Sequence, residues 1–148
     1  MTKVVIIDSE GAIEQSYVSG ANVDPEGAWS QDHQKTVIHL DSGDDLDTFR
    51  RLRYYKDGAW KTRTERPGVY YDWKDEAWTL NTTLLWQEIR SDRNDRLFRC
   101  DWTQMSDCPL TDAQKAQWAS YRTGLRDVPA QNSEVTHLDE VIWPEQPS

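Results

Sequence analysis

Short apolar runs and alternating polar positions dominate the first part of the chain and predict antiparallel β-strands. Residues 4–7 are apolar and β-branched, a polar turn follows, and residues 12–18 alternate between apolar and polar side chains. This combination is typical of a β-hairpin. Residues 36–40 predict a further short strand, whereas residues 19–34, rich in Gly, Asn, Pro and Ser, predict a loop.

Two similar aromatic segments, residues 54–60 and 70–78, each predict another hairpin. In both, aromatic residues precede a polar turn that is followed by Ala-Trp. The first turn is the Asp-Gly pair that tight hairpins favour, and the second has a longer polar tip. Two hairpins in sequence predict a small antiparallel meander.

The rings of this meander compete for a single buried face. Alternation along the strands assigns four of them to that face: Tyr55, Trp60, Tyr71 and Trp78. A sheet this small cannot hide every ring, so some aromatic surface is expected to remain for a partner. The candidates for partly exposed partner contact are Tyr54, Trp60, Trp73 and Trp78.

From about residue 83 the apolar period changes from two to about 3.6 and predicts two helices. The first runs to Cys100, with one apolar stripe formed by Leu85, Trp86, Ile89, Leu97 and Cys100. Thr111 and Gln114 match a capping box that starts the second helix, and Val128-Pro129 is expected to stop it near Asp127. A short connector between two helices predicts an antiparallel helical hairpin.

The connector, residues 101–107, is polar except for two large apolar side chains. Trp102 and Met105 are expected to find apolar cover at the bend of the hairpin. The other side chains, on Asp101, Thr103, Ser106 and Asp107, supply oxygens that cap helix ends. After the second helix, residues 130–148 predict an extended tail that docks through the apolar run 141–143.

These elements predict an α+β protein in two parts. Residues 1–81 form a small antiparallel β-domain with aromatic hairpins, and residues 82–148 form a helical hairpin with an extended C-terminal tail. Hydrophobic content is only 36%, yet the chain has eight Trp and six Tyr, so its core is expected to be rich in aromatic rings.

Charge excludes some classes of partner. A net charge of −9 disfavours nucleic acid and anionic lipid, and the arginines repeated through residues 90–99 alternate with aspartates as on a mixed-charge helix surface. No apolar run could span a membrane, and the N-terminus reaches Asp8 too early for a secretory signal. We therefore expect a cytosolic protein in which Cys100 and Cys108 are reduced thiols.

No motif for chemistry is present in the sequence, and no cofactor or metal site is predicted. The acidic residues 41–47 invite a calcium hypothesis, but their order departs from a calcium-binding loop and favours a solvated turn. No phosphate-binding GxxxxGK[ST] loop, GxSxG or HExxH stretch occurs. Carboxylate pairs such as Asp72 with Asp75 or Glu76 are more typical of solvated turns than of a glycosidase, so an enzyme is not expected.

The C-terminal residues carry a resemblance to one family. The residues concerned are Arg93-Asn94, Leu97, Asp101-Trp102-Thr103-Gln104, Asp107, Trp118, Tyr121-Arg122, Leu125-Arg126-Asp127, Pro129, Trp143-Pro144 and Pro147. As an ordered set from about residue 83 to 147, they resemble the tail fibre assembly chaperones, or tail assembly chaperone proteins, of tailed bacteriophages. The N-terminal half resembles the family only in layout.

The resemblance implies a protein that binds a tail fibre protein and helps it to fold or form trimers without ATP. It implies action in the cytoplasm of the host bacterium, with retention on the virion tail fibre left open, and it does not indicate an oligomeric state. The alternative is a structural virion component at the tail fibre or baseplate that binds sugar through exposed aromatic rings.

Several residues have both a structural and a functional interpretation. A helical hairpin this short needs large side chains to cover itself, which assigns five residues to its core, with partner contact as the alternative: Trp102, Trp118, Tyr121, Leu125 and Trp143. The pair Arg122 and Arg126, beside Asp127, fits either local ion pairs or recognition. Candidate partner-binding residues in this half are therefore Arg122, Arg126 and Trp143.

Overall fold

The computed structural model describes residues 2–19, 36–41 and 43–148, which form two compact units, Met1–Thr79 and Leu80–Ser148. The predicted α+β class is confirmed, with antiparallel strands in the first unit and a helical hairpin in the second. Apart from Ser19, which ends a strand, the predicted loop 19–34 lies outside the described residues. That residues 1–81 and 82–148 are separate domains stays a prediction.

A three-stranded antiparallel sheet begins the chain, as the apolar runs predicted. Its strands are β1 (Thr2–Ile7), β2 (Ile13–Ser19) and β3 (Thr36–Leu40), in the order β2-β1-β3. The central strand is buried throughout residues 4–7, since neighbours on both edges take up its hydrogen bonds. Gly11, in the turn of the hairpin, has φ of +78°, which suits glycine best.

A short helix, α1 (Leu46–Leu52), occupies the end of the predicted acidic turn. Asp45 caps it, because its carboxylate accepts hydrogen bonds from the Asp47 N–H at 3.3 Å and from the Thr48 hydroxyl at 2.7 Å. The expectation of a solvated turn through residue 47 is therefore wrong for its last two residues. Two of the acidic residues belong to the start of this helix, Asp45 as its N-cap and Asp47 in its first turn.

Both aromatic hairpins are present. Their strands are β4 (Arg53–Lys56) with β5 (Ala59–Thr62), and β6 (Tyr71–Lys74) with β7 (Ala77–Leu80). The predicted single meander is wrong, because each hairpin is its own two-stranded sheet. The predicted longer second tip is also wrong: Asp75 and Glu76 both have positive φ and make a two-residue turn like that of the first hairpin.

The helical unit contains α2 (Thr82–Arg99) and α3 (Asp112–Gln131), joined through a 3₁₀ helix at Asp101–Gln104. The predicted capping box is confirmed: the Gln114 N–H donates to Thr111 Oγ1, and the Thr111 N–H donates to Gln114 Oε1. The predicted stop at Val128-Pro129 is wrong. Pro129 lies in the last turn of α3, where its missing N–H removes one helical bond without breaking the turn.

The C-terminal tail docks on these helices as the apolar run 141–143 predicted. Val141 is buried, and Trp143 packs against the cluster of Cys100, Tyr121 and Leu125. Asn132, buried at the end of α3, accepts a hydrogen bond from the Ile142 N–H at 2.8 Å and so fixes the path of the tail. A second 3₁₀ helix, Leu138–Glu140, precedes the docked segment.

Candidate functional site

The connector between α2 and α3 exposes the side chains that were expected to be covered. Trp102 is 45% exposed and Met105 58% exposed, whereas the small Thr103 is fully buried. Its hydroxyl donates to the Cys100 carbonyl at 2.6 Å, so the 3₁₀ helix turns inward at the threonine and carries its neighbours outward. The expectation of apolar cover is therefore wrong for Met105 and only partly right for Trp102, whose ring centroid lies 6.3 Å from that of Trp118.

Phe98 adds a third large apolar side chain to this part of the chain. It lies in the last turn of α2 and is 75% exposed, while the neighbouring positions 97 and 100 face the core. We call Phe98, Trp102 and Met105 the bend strip. Sequence reasoning missed Phe98; the available signal was a large apolar residue that did not fit the predicted stripe.

Arg122 lies below the connector and holds it to the end of α2. Its side chain is only 12% exposed, and Nη2 forms an ion pair with Asp101 at 2.7 Å. Nη1 donates to the Leu97 carbonyl at 2.8 Å and contacts Cys100 Sγ at 3.2 Å. Burial alone would lower the pKa of Arg122, but these hydrogen bonds with Cys100 and Asp101 raise it above the usual arginine value.

Arg126, one turn further along α3, is exposed and forms no ion pair within the described residues. The local ion-pair interpretation, which was left open for both Arg122 and Arg126, therefore applies to Arg122 and not to Arg126. Arg122 makes local contacts that stabilise the hairpin, whereas Arg126 makes no comparable contact with the residues that the structure describes. Its role in partner binding stays a prediction.

The other family-motif residues mostly build the hairpin core. Tyr121 and Leu125 are buried, Trp118 packs edge-on against Tyr121 at 5.8 Å between ring centroids, and the Arg96 guanidinium lies 4.2 Å from the centroid of Trp143. The core interpretation of these side chains agrees with this packing. Arg93 donates to the Asn94 side chain, Asp107 is exposed, and Pro129 is half-buried.

The aromatic rings of the N-terminal unit form two separate groups, not one face. Phe49 and Tyr55 each pack edge-on against Trp60, with centroid distances of 5.1 and 5.2 Å, respectively. In the second group, Trp73 lies 4.9 Å from Tyr54 and 5.2 Å from Trp78. The expectation that Tyr55, Trp60, Tyr71 and Trp78 compete for one face is wrong, since α1 supplies Phe49 as a second packing surface.

The predicted exposure of these rings is only partly right. Tyr54 is buried, at 8% exposure, and its hydroxyl donates to Glu76 Oε1 at 2.9 Å. Trp60, Trp73 and Trp78 are half-buried. Tyr54 is therefore a packing residue that ties the two hairpins together, and its candidacy as an exposed contact is wrong.

Arg63, which sequence reasoning missed, organises the second aromatic group. Its guanidinium lies over the rings of Trp73 and Trp78, 4.9 and 4.7 Å from their centroids. Nε and Nη2 donate to the backbone carbonyls of Arg51 and Arg50, at the end of α1. Burial lowers the pKa of Arg63 from its usual value, and nearby Asp8 acts in the opposite direction.

A groove of about 630 Å³ opens beside this group, entirely within the N-terminal unit. Its walls carry the rings of Tyr71, Trp73 and Trp78 together with several charged side chains from α1 and the segment before β6. Among the charged residues, Arg51 pairs with Glu65, and Arg66 lies 3.9 Å from Asp72. The mixture of rings and arginines suits a ligand with both apolar and acceptor groups.

Three further features bear on the classes of function. Across residues 2–19, 36–41 and 43–148, no three His, Cys, Asp or Glu side chains are grouped so that they could hold a metal ion. Cys100 and Cys108 are free thiols. No helix among the described residues is both long and apolar enough to cross a bilayer.

The C-terminal half, with its capped helices, connector and docked tail, also matches a known family. Residues 86–148 match the family model described as phage tail assembly chaperone protein. The predicted resemblance is confirmed for this region. Neither curated proteins nor solved structures gave a match. The match contains Arg122, the bend strip and the docked tail, and it supports a role in phage tail assembly.

Proposed function

We propose that the protein is a tail fibre assembly chaperone, which binds a tail fibre protein and assists its folding and trimerisation. The observation that carries the proposal is the bend strip: three large exposed apolar side chains within eight residues of the region that matches the tail assembly chaperone family. Large exposed apolar side chains that lie close together are typical of protein interaction sites.

The mechanism follows from the surface that an unassembled fibre subunit exposes. A chain destined for a trimer exposes apolar surface or strand edges that aggregate readily. Phe98, Trp102 and Met105 would cover such surface, and Met adapts to irregular partners because its side chain is flexible. Formation of the trimer would then displace the chaperone, so neither ATP nor catalysis is needed. The action belongs in the host cell, where the fibre is made.

Co-expression with the cognate tail fibre protein tests this proposal. The wild-type chain should increase the soluble, trimeric fraction of the fibre, and the double variant Phe98→Ser/Met105→Ser should not. Because both side chains are exposed, the variant should melt within about 0.5 kcal/mol of the wild type. Fibre that becomes soluble and trimeric equally well without this protein contradicts the proposal.

Ile142→Ser provides the matched control. Ile142 is 76% exposed and belongs to the same unit, but it lies outside the bend strip. If its loss impairs fibre assembly as much as the double variant does, general surface apolarity and not the strip is responsible. If the double variant assists the fibre like the wild type, the assignment of the strip is wrong.

A sugar-binding virion component has less support. Saccharides stack on free aromatic faces, but the guanidinium of Arg63 already lies over the rings of Trp73 and Trp78. Partner binding through Trp60, Trp73 and Trp78 stays open for a protein partner.

A further inference from the structure

The groove of the N-terminal unit lies outside the family match and contains two unusual donors. Arg63 Nη1 and Trp73 Nε1 are buried and have no hydrogen-bond partner among the described residues. The nearby indole of Trp78 is a useful contrast, because its Nε1 donates to the Thr64 carbonyl at 2.9 Å. Buried donors are almost always paired, so two unpaired donors on adjacent side chains need an explanation.

The two donors belong to side chains that are otherwise firmly held. Arg63 is fixed by the carbonyls of Arg50 and Arg51, and Trp73 by the rings of Tyr54 and Trp78. Both side chains line the groove. Because both N–H groups are buried, either side chain has to move to present its donor to an acceptor in the groove.

The charges of the groove favour an anionic acceptor. Its lining has four arginines and three acidic residues, hence one net positive charge in a chain whose total is −9. Arg51 and Arg66 have carboxylate partners in Glu65 and Asp72. Asp8, the remaining acid, accepts hydrogen bonds from the backbone N–H groups of Glu10 and Ala12. Asp8 acts on Arg63 through its charge, and an incoming carboxylate would add the charge-assisted hydrogen bond that Arg63 Nη1 lacks.

We propose that this groove binds a carboxylate-bearing peptide segment of a partner protein, with the carboxylate held by Arg63 Nη1 and Trp73 Nε1. The tryptophan and tyrosine rings of the walls would pack against the neighbouring side chains of the peptide. The groove has a volume of about 630 Å³, which is large enough for a few residues of a peptide. The carboxylate is either an Asp or Glu side chain or a chain terminus, and both have the same chemistry.

The test follows the indole N–H signal of Trp73 in the full chain by ¹H–¹⁵N NMR, with the signal assigned through Trp73→Phe. Three peptides of equal length are titrated: one with acidic side chains and an amidated end, one with neutral side chains and a free carboxyl end, and one neutral and amidated. We expect the Trp73 signal to move downfield with one or both of the first two, which distinguishes the sources of the carboxylate. No movement, or equal movement with the neutral amidated peptide, overturns the proposal.

Inorganic phosphate and maltotriose complete the set of ligands. Preferential movement of the Trp73 signal with either of these would replace the peptide by a phosphate or a sugar and so overturn the proposal. The indole signal of Trp78 is the internal control, since its N–H is already bonded and should move less.

Variants test the role of the guanidinium. Arg63→Gln should weaken peptide binding by about tenfold or more, because it removes the charge that pairs with the carboxylate. If Arg63→Gln does not fold, Arg63→Lys keeps the charge but not the fork of donors and should also bind more weakly. Arg90→Gln, at an exposed arginine of the other unit, should bind like the wild type. Unchanged affinity in both Arg63 variants contradicts the proposal.

Discussion

The helical unit and the β unit each hold a partly buried arginine, but they satisfy it to different degrees. In the helical unit both terminal nitrogens of Arg122 have partners, namely Asp101, the Leu97 carbonyl and Cys100. In the β unit Arg63 stacks over two indoles and keeps one terminal nitrogen unpaired. An arginine with complete bonding stabilises a fold, whereas one with a spare donor can also bind a ligand.

The cores of the two units also differ, because the core of the helical unit is more completely packed than that of the aromatic hairpins. The helical unit completely buries Leu85 and Ile89 of α2 and Leu125 and Val128 of α3. The second half of the β unit has two separate two-stranded sheets, which are marginal alone and depend on ring contacts and on Arg63 for cohesion. The helical unit is thus held by a close-packed aliphatic core, while the hairpins around the groove are held by ring contacts and by the more polar contacts of Arg63.

The largest expected effect is on the helical core. Leu125→Ala removes a fully buried side chain from the cluster with Cys100 and Tyr121, and should lower the free energy of unfolding by about 4 kcal/mol. Urea unfolding measures the loss. Amide hydrogen exchange should show that residues 82–131 lose protection, and the β1-β2-β3 sheet should lose less. A loss below about 1 kcal/mol would mean that this core is not the main support of the unit.

Trp73→Ala probes the ring contacts of the β unit. If the ring of Trp73 were exposed, its removal would leave the free energy of unfolding almost unchanged. Because the ring contacts Tyr54, Trp78 and Arg63, we expect the free energy of unfolding to fall by about 2–3 kcal/mol. Trp102→Ala is the matched control, because Trp102 is 45% exposed and should cost about 1 kcal/mol or less. Equal losses for the two variants would contradict the distinction between a packed and an exposed tryptophan.

Arg122→Ala tests the completely bonded arginine. Its removal leaves the Leu97 carbonyl without its side-chain donor and Asp101 without its counterion, so we expect a loss of about 2 kcal/mol. Arg126→Ala, one turn away and exposed, should change the free energy of unfolding by less than about 0.5 kcal/mol. Thermal unfolding of both variants side by side measures the difference. Similar behaviour would show that Arg122 is not a structural residue.

Periodicity was sufficient to predict most of the elements. The strand at residues 36–40, both aromatic hairpins and the capping box at Thr111 are all present, because each depends on local pattern or turn chemistry. The errors also have local causes. The acidic residues at the start of the short helix after Asp45 made this segment resemble a solvated turn. Pro129 did not stop α3 earlier because the helix ends two residues after it.

The site was harder to predict, because it depends on contacts between distant residues. Arg63 belongs to the segment after the first hairpin, and nothing around it in the sequence indicates that it will meet Trp73 and Trp78. The inward position of Thr103, which leaves Trp102 and Met105 outside, likewise follows from a 3₁₀ turn that alternation and helical spacing do not predict.

The smallest expected effect concerns Glu76, which joins the two hairpins of the β unit. Hydrogen bonds from Lys56, at 2.7 Å, and from the Tyr54 hydroxyl lower the pKa of Glu76 from its usual value. Because the pKa is lower in the folded state, the stabilisation is present above the ordinary glutamate pKa of about 4.3 and is lost as the pH falls through the folded value.

The pH dependence of Glu76 is measured by following its carboxyl carbon by NMR from neutral to acidic pH. We expect the midpoint to lie below the ordinary glutamate value, and the Tyr54 ring signals to move over the same range as the hydrogen bond is lost. Glu76→Gln should abolish this movement of Tyr54. A midpoint at or above the ordinary value would show that the hairpins are not joined through this carboxylate, and that the ring contacts and Arg63 connect them without it.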